Sequence, residues 1–170
     1  PGLDELHQAL PDITVVLGSF DSVLIEQAEL FVVSPGVSLK EPVIADAIAN
    51  GKQAIGDIEL FARYAKAPVV AITGSNGKST VTTLVYEMAR AAQKNVRIGG
   101  NIGTPALELL EANEPDLYVL ELSSFQLETT RSLKLAAATI LNISQDHLDR
   151  YTDMQAYIDA KQRIFAHAGC

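Results

Sequence analysis

Residues 67–93 run from a short apolar segment, Ala67-Pro68-Val69-Val70, through Ala71-Ile-Thr-Gly-Ser-Asn-Gly-Lys-Ser-Thr80 into a helix-like stretch that ends near Gln93. A strand, a glycine loop closing on Lys-Ser and a helix, in that order, fix a β–loop–α unit. Gly74 and Gly77 let backbone N–H groups turn toward an anion, and the helix behind them adds its N-terminal partial positive charge. Lys78 can reach terminal phosphates, and the Ser79 hydroxyl can hold Mg²⁺. Gly74, Ser75, Asn76, Gly77, Lys78, Ser79 and Thr80 together read as a seat for a nucleoside triphosphate such as ATP.

The common form of this loop, G-x-x-x-x-G-K-[ST], carries its first glycine where this chain has Ile72; here the first glycine comes two residues later, at Gly74. The loop is therefore expected to differ from that of ordinary GTPases and kinases.

Short Val-, Ile- and Leu-rich runs alternate with helix-like stretches along the whole chain. Strands are expected at 13–17, 30–34, 53–55, 69–73, 96–98, 117–122 and 138–143. Helices are expected at 3–10, 22–28, 42–50, 58–65, 78–93, 105–112 and 154–168, with Gly51 stopping the third. The strand candidates are mostly continuous apolar runs, which suits a parallel sheet covered on both faces. The alternation argues for a doubly wound, mostly parallel α/β architecture. A phosphate-binding loop normally follows the first strand of its domain, yet three strand candidates precede this one. Two domains are therefore expected: a partial, Rossmann-like α/β domain over 1–56 and a P-loop domain over 57–170.

Composition excludes several classes. The 170 residues are 48% hydrophobic and 20% charged, ordinary for globular material. No apolar run approaches the roughly 20 residues of a membrane span, and no charged-then-apolar leader is present. A net charge of −8 argues against nucleic acid. The single cysteine, Cys170, excludes an internal disulfide framework and a cysteine zinc site. A cytoplasmic protein is expected. Pro1 is not an initiator, and the last helix stops without a following strand, so both ends read as cut.

Polar groups gather where strands end. The buried-type run 116–120 finishes on Glu121, on the edge expected to carry the glycine loop, where open α/β sheets build their sites. A carboxylate there can bind Mg²⁺. The next strand runs into Ser144-Gln-Asp146-His147, which brings a third set of polar groups to that edge. Gly99-Gly-Asn101-Ile-Gly103 allows close approach of a ligand, or is a tight turn. Ser34-Pro35-Gly36 caps a diphosphate at a helix start, or is merely a turn. Lys161, taken by itself, reads as a solvated helix lysine.

Taken together, these residues resemble the Mur ligase family. Thr73-Gly-Ser-Asn-Gly-Lys-Ser79 has the family's loop shape, displaced glycine included. Leu120-Glu-Leu-Ser-Ser-Phe-Gln-Leu-Glu128 is similar to the branch that adds D-glutamate, as are Gly100-Asn-Ile-Gly103, Asp146-His147 and Gly56-Asp-Ile-Glu-Leu-Phe61. The resemblance spans essentially the whole chain. It implies an ATP-dependent amide ligase of peptidoglycan precursor synthesis, hence of cell-wall biogenesis, cell shape and cell division. The substrates would be UDP-N-acetylmuramoyl-L-alanine and D-glutamate, joined through an acyl phosphate, by a monomer that engages neither nucleic acid nor membrane. It further implies that Lys78 and the loop amides hold ATP, that Ser79 and Glu121 bind one Mg²⁺ and that His147 binds a second. Gly36, Asn101, Ser123 and Gln126 would face the UDP-linked substrate, and Lys161 would be carbamylated and act in catalysis with Lys78 and His147. A C-terminal amino-acid-binding domain and the rest of the central domain would lie outside these residues, which alone would not ligate. Another ligase of the same fold, of the folylpolyglutamate type for example, and a non-catalytic ATP-binding module are the alternatives.

Overall fold

The computed structural model describes residues 2–111, 113–146 and 150–166. It divides into two compact units, one of Pro1–Leu30 with Leu39–Gln53 and one of Phe31–Ser38 with Ala54–Cys170. Compactness therefore does not follow the border expected at residue 56, because Phe31–Ser38 and Ala54–Gly56 belong to the larger unit.

The smaller unit carries α1 (Leu3–Ala9), α2 (Ser22–Gln27) and α3 (Pro42–Ala49). Asp21 starts α2 by accepting the N–H groups of Val23 and Leu24 at 2.8 and 3.1 Å. Lys52 closes the same helix, its ammonium donating to the Glu26 and Ala28 carbonyls at 2.6 and 2.8 Å, where a cation suits the helix dipole. Pro42 opens α3, and Gly51 follows it at φ 88°, a backbone angle that glycine takes without a steric penalty. The expected strand at 13–17 is not formed, and Leu17 is 70% exposed. A strand needs a paired ladder as well as apolar residues, and among the described residues this run has none.

In the larger unit, Val33 N–H donates to Ile55 C=O at 2.8 Å, continuing the two-stranded sheet of β1 (Leu30–Val32) and β2 (Gln53–Ile55). Its main sheet has the order β4-β5-β3-β6, with β3 Val69–Thr73, β4 Val96–Gly100, β5 Leu117–Glu121 and β6 Ala137–Ile140, and every pairing parallel. One face is covered by α4 (Asp57–Tyr64), α6 (Ser124–Glu128) and α7 (Met154–Ala166), whose Ile58, Phe61, Leu127 and Ile164 pack with Val69, Ala71, Tyr118 and Leu120. Helix α5 (Lys78–Ala91) packs along β3, β4 and β5. Glu59, 3% exposed, ties α4 to the link before β6, accepting Arg131 N–H at 2.7 Å, Ser132 N–H at 2.8 Å and Ser132 Oγ–H at 2.8 Å.

The expected helix at 105–112 is a single 3₁₀ turn, Ala106–Leu109. Three residues per turn put Ala106 and Leu109 on one side, and both are buried. Helix α6 lay inside a run read only as a strand end. It is started by a reciprocal cap: Ser123 Oγ accepts Gln126 N–H at 3.2 Å, and Gln126 Oε1 accepts Ser123 N–H at 3.1 Å.

The register sets the site. Ile72 pairs with Glu121, Gly100 with Glu121, and Thr73 with Ile140, so the carboxyl ends of all four strands lie level. From β3 the chain crosses β5 to reach β4; from β5 it crosses β3 to reach β6. The connections diverge between β3 and β5, which makes that end of the sheet the switch point where α/β ligand sites form.

Candidate functional site

At the switch point the chain turns from β3 through Gly74 and Gly77, at φ 156° and 78°, into α5. The positive φ at Gly77 starts the helix without a side-chain cap, so the amides of the first turn, Lys78, Ser79 and Thr80, have no intrahelical acceptor. Lys78 folds back, its Nζ donating to Ser75 C=O at 3.1 Å.

Glu121 is 2% exposed and held from two sides. Ser79 Oγ–H donates to its Oε2 at 2.8 Å, and Asn101 Nδ2 donates to its Oε1 at 2.8 Å. Asn101 is itself set by its own N–H, which donates to Glu121 C=O at 2.8 Å. That bond needs Gly100, at φ 103°, because a Cβ there would lie 2.4 Å from Glu121 O. The start of α5 and the ends of β4 and β5 are thus joined through one carboxylate. Ser79 Oγ and Glu121 Oε2 are adjacent hard oxygens, the donor chemistry that Mg²⁺ takes. Among the described residues no cluster of three or more His, Cys, Asp or Glu is assembled. His147 falls outside the described residues.

Lys161 departs from the solvated reading. It is 2% exposed, and its Nζ donates to Gly74 C=O at 2.9 Å and lies 4.6 Å from the Tyr157 ring centre. Burial above all, then the nearby Lys78, lowers its pKa from the usual 10.5 to about 8, against the opposing pull of Asp146. Tyr157 OH is 3.1 Å from Ser75 Oγ, so α7 touches the loop at two points. Lys78, Asn101, Ser123, Ser124, Phe125, Tyr157 and Lys161 line a cavity of about 170 Å³.

Gln126 does not line that cavity. It is 3% exposed, with Oε1 engaged in the α6 cap and Nε2 donating to Asp57 Oδ2 at 2.8 Å. Gly36 sits in a turn closed by Val37 N–H to Ser34 C=O at 2.9 Å. The Arg150 guanidinium donates to the carbonyls of Pro35, Gly36 and Val37 at 3.3, 3.2 and 3.1 Å while lying 4.3 Å from the Phe125 ring centre.

Three residues escaped the sequence reading: Asn142, Tyr157 and Arg150. Asn142 grips the loop, with Nδ2 donating to Asn76 C=O at 2.9 Å and Oδ1 accepting Asn76 N–H at 2.9 Å. An asparagine within an apolar strand candidate is a break in pattern that could have flagged it. Tyr157 and Lys161 both lie on the stripe 157, 160, 161, 164 of α7, whose spacing marks a buried face. Arg150 gave no such signal.

Comparison with known proteins adds to this geometry. The family model for the Mur ligase middle domain matches residues 72–169, and that for the Mur ligase MurD-like N-terminal domain matches residues 1–56. The UDP-N-acetylmuramoylalanine--D-glutamate ligase of Marinobacter nauticus is 63% identical over 170 residues, covering 100% of this chain and 37% of its own. The protein of the same name from Nitrosococcus oceani is 61% identical, covering 99% of this chain and 37% of its own. This chain thus spans little more than a third of the length of those relatives. Among solved structures, a UDP-N-acetylmuramoyl-L-alanyl-D-glutamate--2,6-diaminopimelate ligase aligns with a TM-score of 0.54 at 21% identity, over 95% of this chain and 45% of its own. The MurF ligase from Thermotoga maritima in complex with ADP aligns with a TM-score of 0.52 at 18% identity, over 85% and 42%. At such identities the shared property is the fold.

Proposed function

The chain belongs to the Mur ligase family, and on that premise we propose that the protein carrying it is an ATP-dependent ligase joining D-glutamate to UDP-N-acetylmuramoyl-L-alanine. The identity of 63% to a ligase of that name supports the choice of amino acid. The observation that carries the reading is the joining of Ser79, Glu121 and Asn101 at the switch point, beside a buried Lys161.

In this reaction the L-alanyl carboxylate takes the γ-phosphoryl group of ATP, and the amine of D-glutamate then displaces phosphate to form the amide. The first step brings an anion against a polyanion, so the main requirement is positive charge fixed in advance around the phosphates. The chain supplies Lys78, the free amides of Lys78, Ser79 and Thr80, and the dipole of α5. Gly74, Ser75, Asn76 and Gly77 shape the loop that presents them. Ser79 and Glu121 would hold Mg²⁺, which supplies charge neutralisation when bound; His147 is assigned to a second ion. Asn101 and Ser123 face the acceptor, and Gly36 lies near its diphosphate. Gln126 acts through its cap, keeping Ser123 in place at the cavity wall.

Lys161 is assigned as a carbamate. Its depressed pKa of about 8 leaves part of the amine neutral near pH 7, the form that attacks CO₂ with loss of a proton. The product is an anion whose charge Lys78, across the cavity, would balance. Residues 1–56 would form part of the domain that binds the UDP-linked substrate, and 57–170 part of the ATP-binding domain. A monomer in the cytoplasm completes the proposal; among the described residues no helix is long and apolar enough to cross a membrane.

The test is phosphate release by the full-length protein with ATP, Mg²⁺ and UDP-N-acetylmuramoyl-L-alanine, with and without D-glutamate. Release that requires D-glutamate is expected. Release indifferent to it points to another acceptor or to ATP hydrolysis alone.

A further inference from the structure

We propose that Asn142 is a positioning residue for the phosphate-binding loop, supplying from the segment that leaves β6 the support that a loop shortened by two residues cannot give itself. The inference rests on the reading of that loop as the seat of a nucleoside triphosphate.

The common loop leaves its strand at the position of Ile72. Here Ile72 is 1% exposed and still pairs with Glu121, and Thr73 pairs with Ile140, so β3 runs two residues further. Only Gly74-Ser75-Asn76-Gly77 remains to bridge to α5. The bridge is held by the segment that leaves β6. Asn142 C=O accepts Ser75 N–H at 3.0 Å, and the Asn142 carboxamide brackets the Asn76 peptide groups with two bonds of 2.9 Å. Ser144 adds its N–H to Ser75 Oγ at 3.0 Å and its Oγ to Asn76 Nδ2 at 3.1 Å. The approach is close: a Cβ on Gly74 would lie 3.2 Å from Leu141 Cβ and 3.4 Å from Asn142 N and O.

This contact selects the amides that meet the ligand. The N–H groups of Ser75 and Asn76 are spent on Asn142, so they do not point at an anion. Those of Lys78, Ser79 and Thr80 remain, next to the hydroxyl that donates to Glu121. Asn142 thereby fixes both which donors face the polyphosphate and where Lys78 begins, while touching no substrate itself.

The experiment uses the full-length protein with Asn142→Ala and Asn142→Asp. The alanine variant removes both carboxamide bonds and leaves the backbone bond to Ser75. The aspartate variant keeps the acceptor for Asn76 N–H but turns an anion toward Asn76 C=O. Two net hydrogen bonds correspond to roughly a tenfold loss. The affinity for ADP and the KM for ATP should worsen by about that factor in the alanine variant and by more in the aspartate variant. The affinity for adenosine and the KM for the acceptor should change less than about twofold, which a general loss of structure would not produce. Unchanged ADP affinity in both variants, or equal losses for ADP and adenosine, would overturn the proposal. Titration with ADP needs no turnover, so a silent unsubstituted enzyme counts against the ligase reading alone.

Discussion

Replacing Lys161 by methionine separates what this residue costs the fold from what it gives the site. The side chains are similar in length, so packing in α7 is largely kept and the buried ammonium is removed. In the folded chain its pKa is about 8, against the usual 10.5 for a hydrated lysine. The unfolded chain therefore binds the proton more tightly, and stability must rise with pH between those two values. One pKa unit is about 1.4 kcal/mol, so the folded state carries a penalty of about 3 kcal/mol at pH 7 and about 1 kcal/mol at pH 10. Wild-type protein in CO₂-free buffer should thus gain about 2.5 kcal/mol between pH 7 and pH 10 relative to Lys161→Met, read by denaturant unfolding of both at both pH values. The variant should be at least as stable as wild type at pH 7, yet lose ligation. Parallel stability profiles would refute the reasoning, because they would mean that the amine is hydrated in the native state.

Glu121→Gln keeps the shape of the Ser79–Glu121–Asn101 connection but removes its charge, so ATP-dependent turnover should fall at least about a hundredfold, with little change in melting temperature. Gly100→Ala meets both a positive φ and a carbonyl oxygen at 2.4 Å; unfolding measurements should show a loss of about 2–3 kcal/mol. For Glu59, burial alone would raise the pKa, but the bonds from Ser132, Arg131 and Arg63 outweigh it and hold the carboxyl below its usual 4.5. Its contribution is therefore complete above that value and lost as pH falls through the depressed one, so Glu59→Gln should flatten the acid side of the stability profile.

The sequence made the centre of the sheet legible because its two inner strands, β3 and β5, are largely buried and the loop after β3 carries chemistry in a fixed order. Val69–Thr73 and Leu117–Glu121 could be bounded almost to the residue, since each ends where an apolar run meets a polar group. The run at 13–17 had the same composition and formed no strand, because pairing is a property of neighbours that composition does not carry. Helix α6 starts on Ser123-x-x-Gln126, a helix-start signature whose residue types equally suit a ligand site, so the pattern alone does not separate the two. Lys161 was the largest misreading from residues alone. Its type says surface, while its place on the 157, 160, 161, 164 stripe says core, and the second consideration wins. The hold of Asn142 on Asn76 spans 66 positions and depends on a strand order that no local pattern reveals.

One carboxylate joins the start of α5 to the ends of β4 and β5, and this bears on how such a chain can change over generations. Ser79 and Asn101 both donate to the Glu121 carboxylate, so a substitution at any of the three is judged by what stands at the other two. Drift at these positions should be correlated rather than independent, with Gly100 held fixed by the backbone that Asn101 leans on. Diversity in substrate choice would then enter through the surrounding walls, at Ser123, Ser124 and Phe125, where a side chain can vary without disturbing the part that handles phosphate.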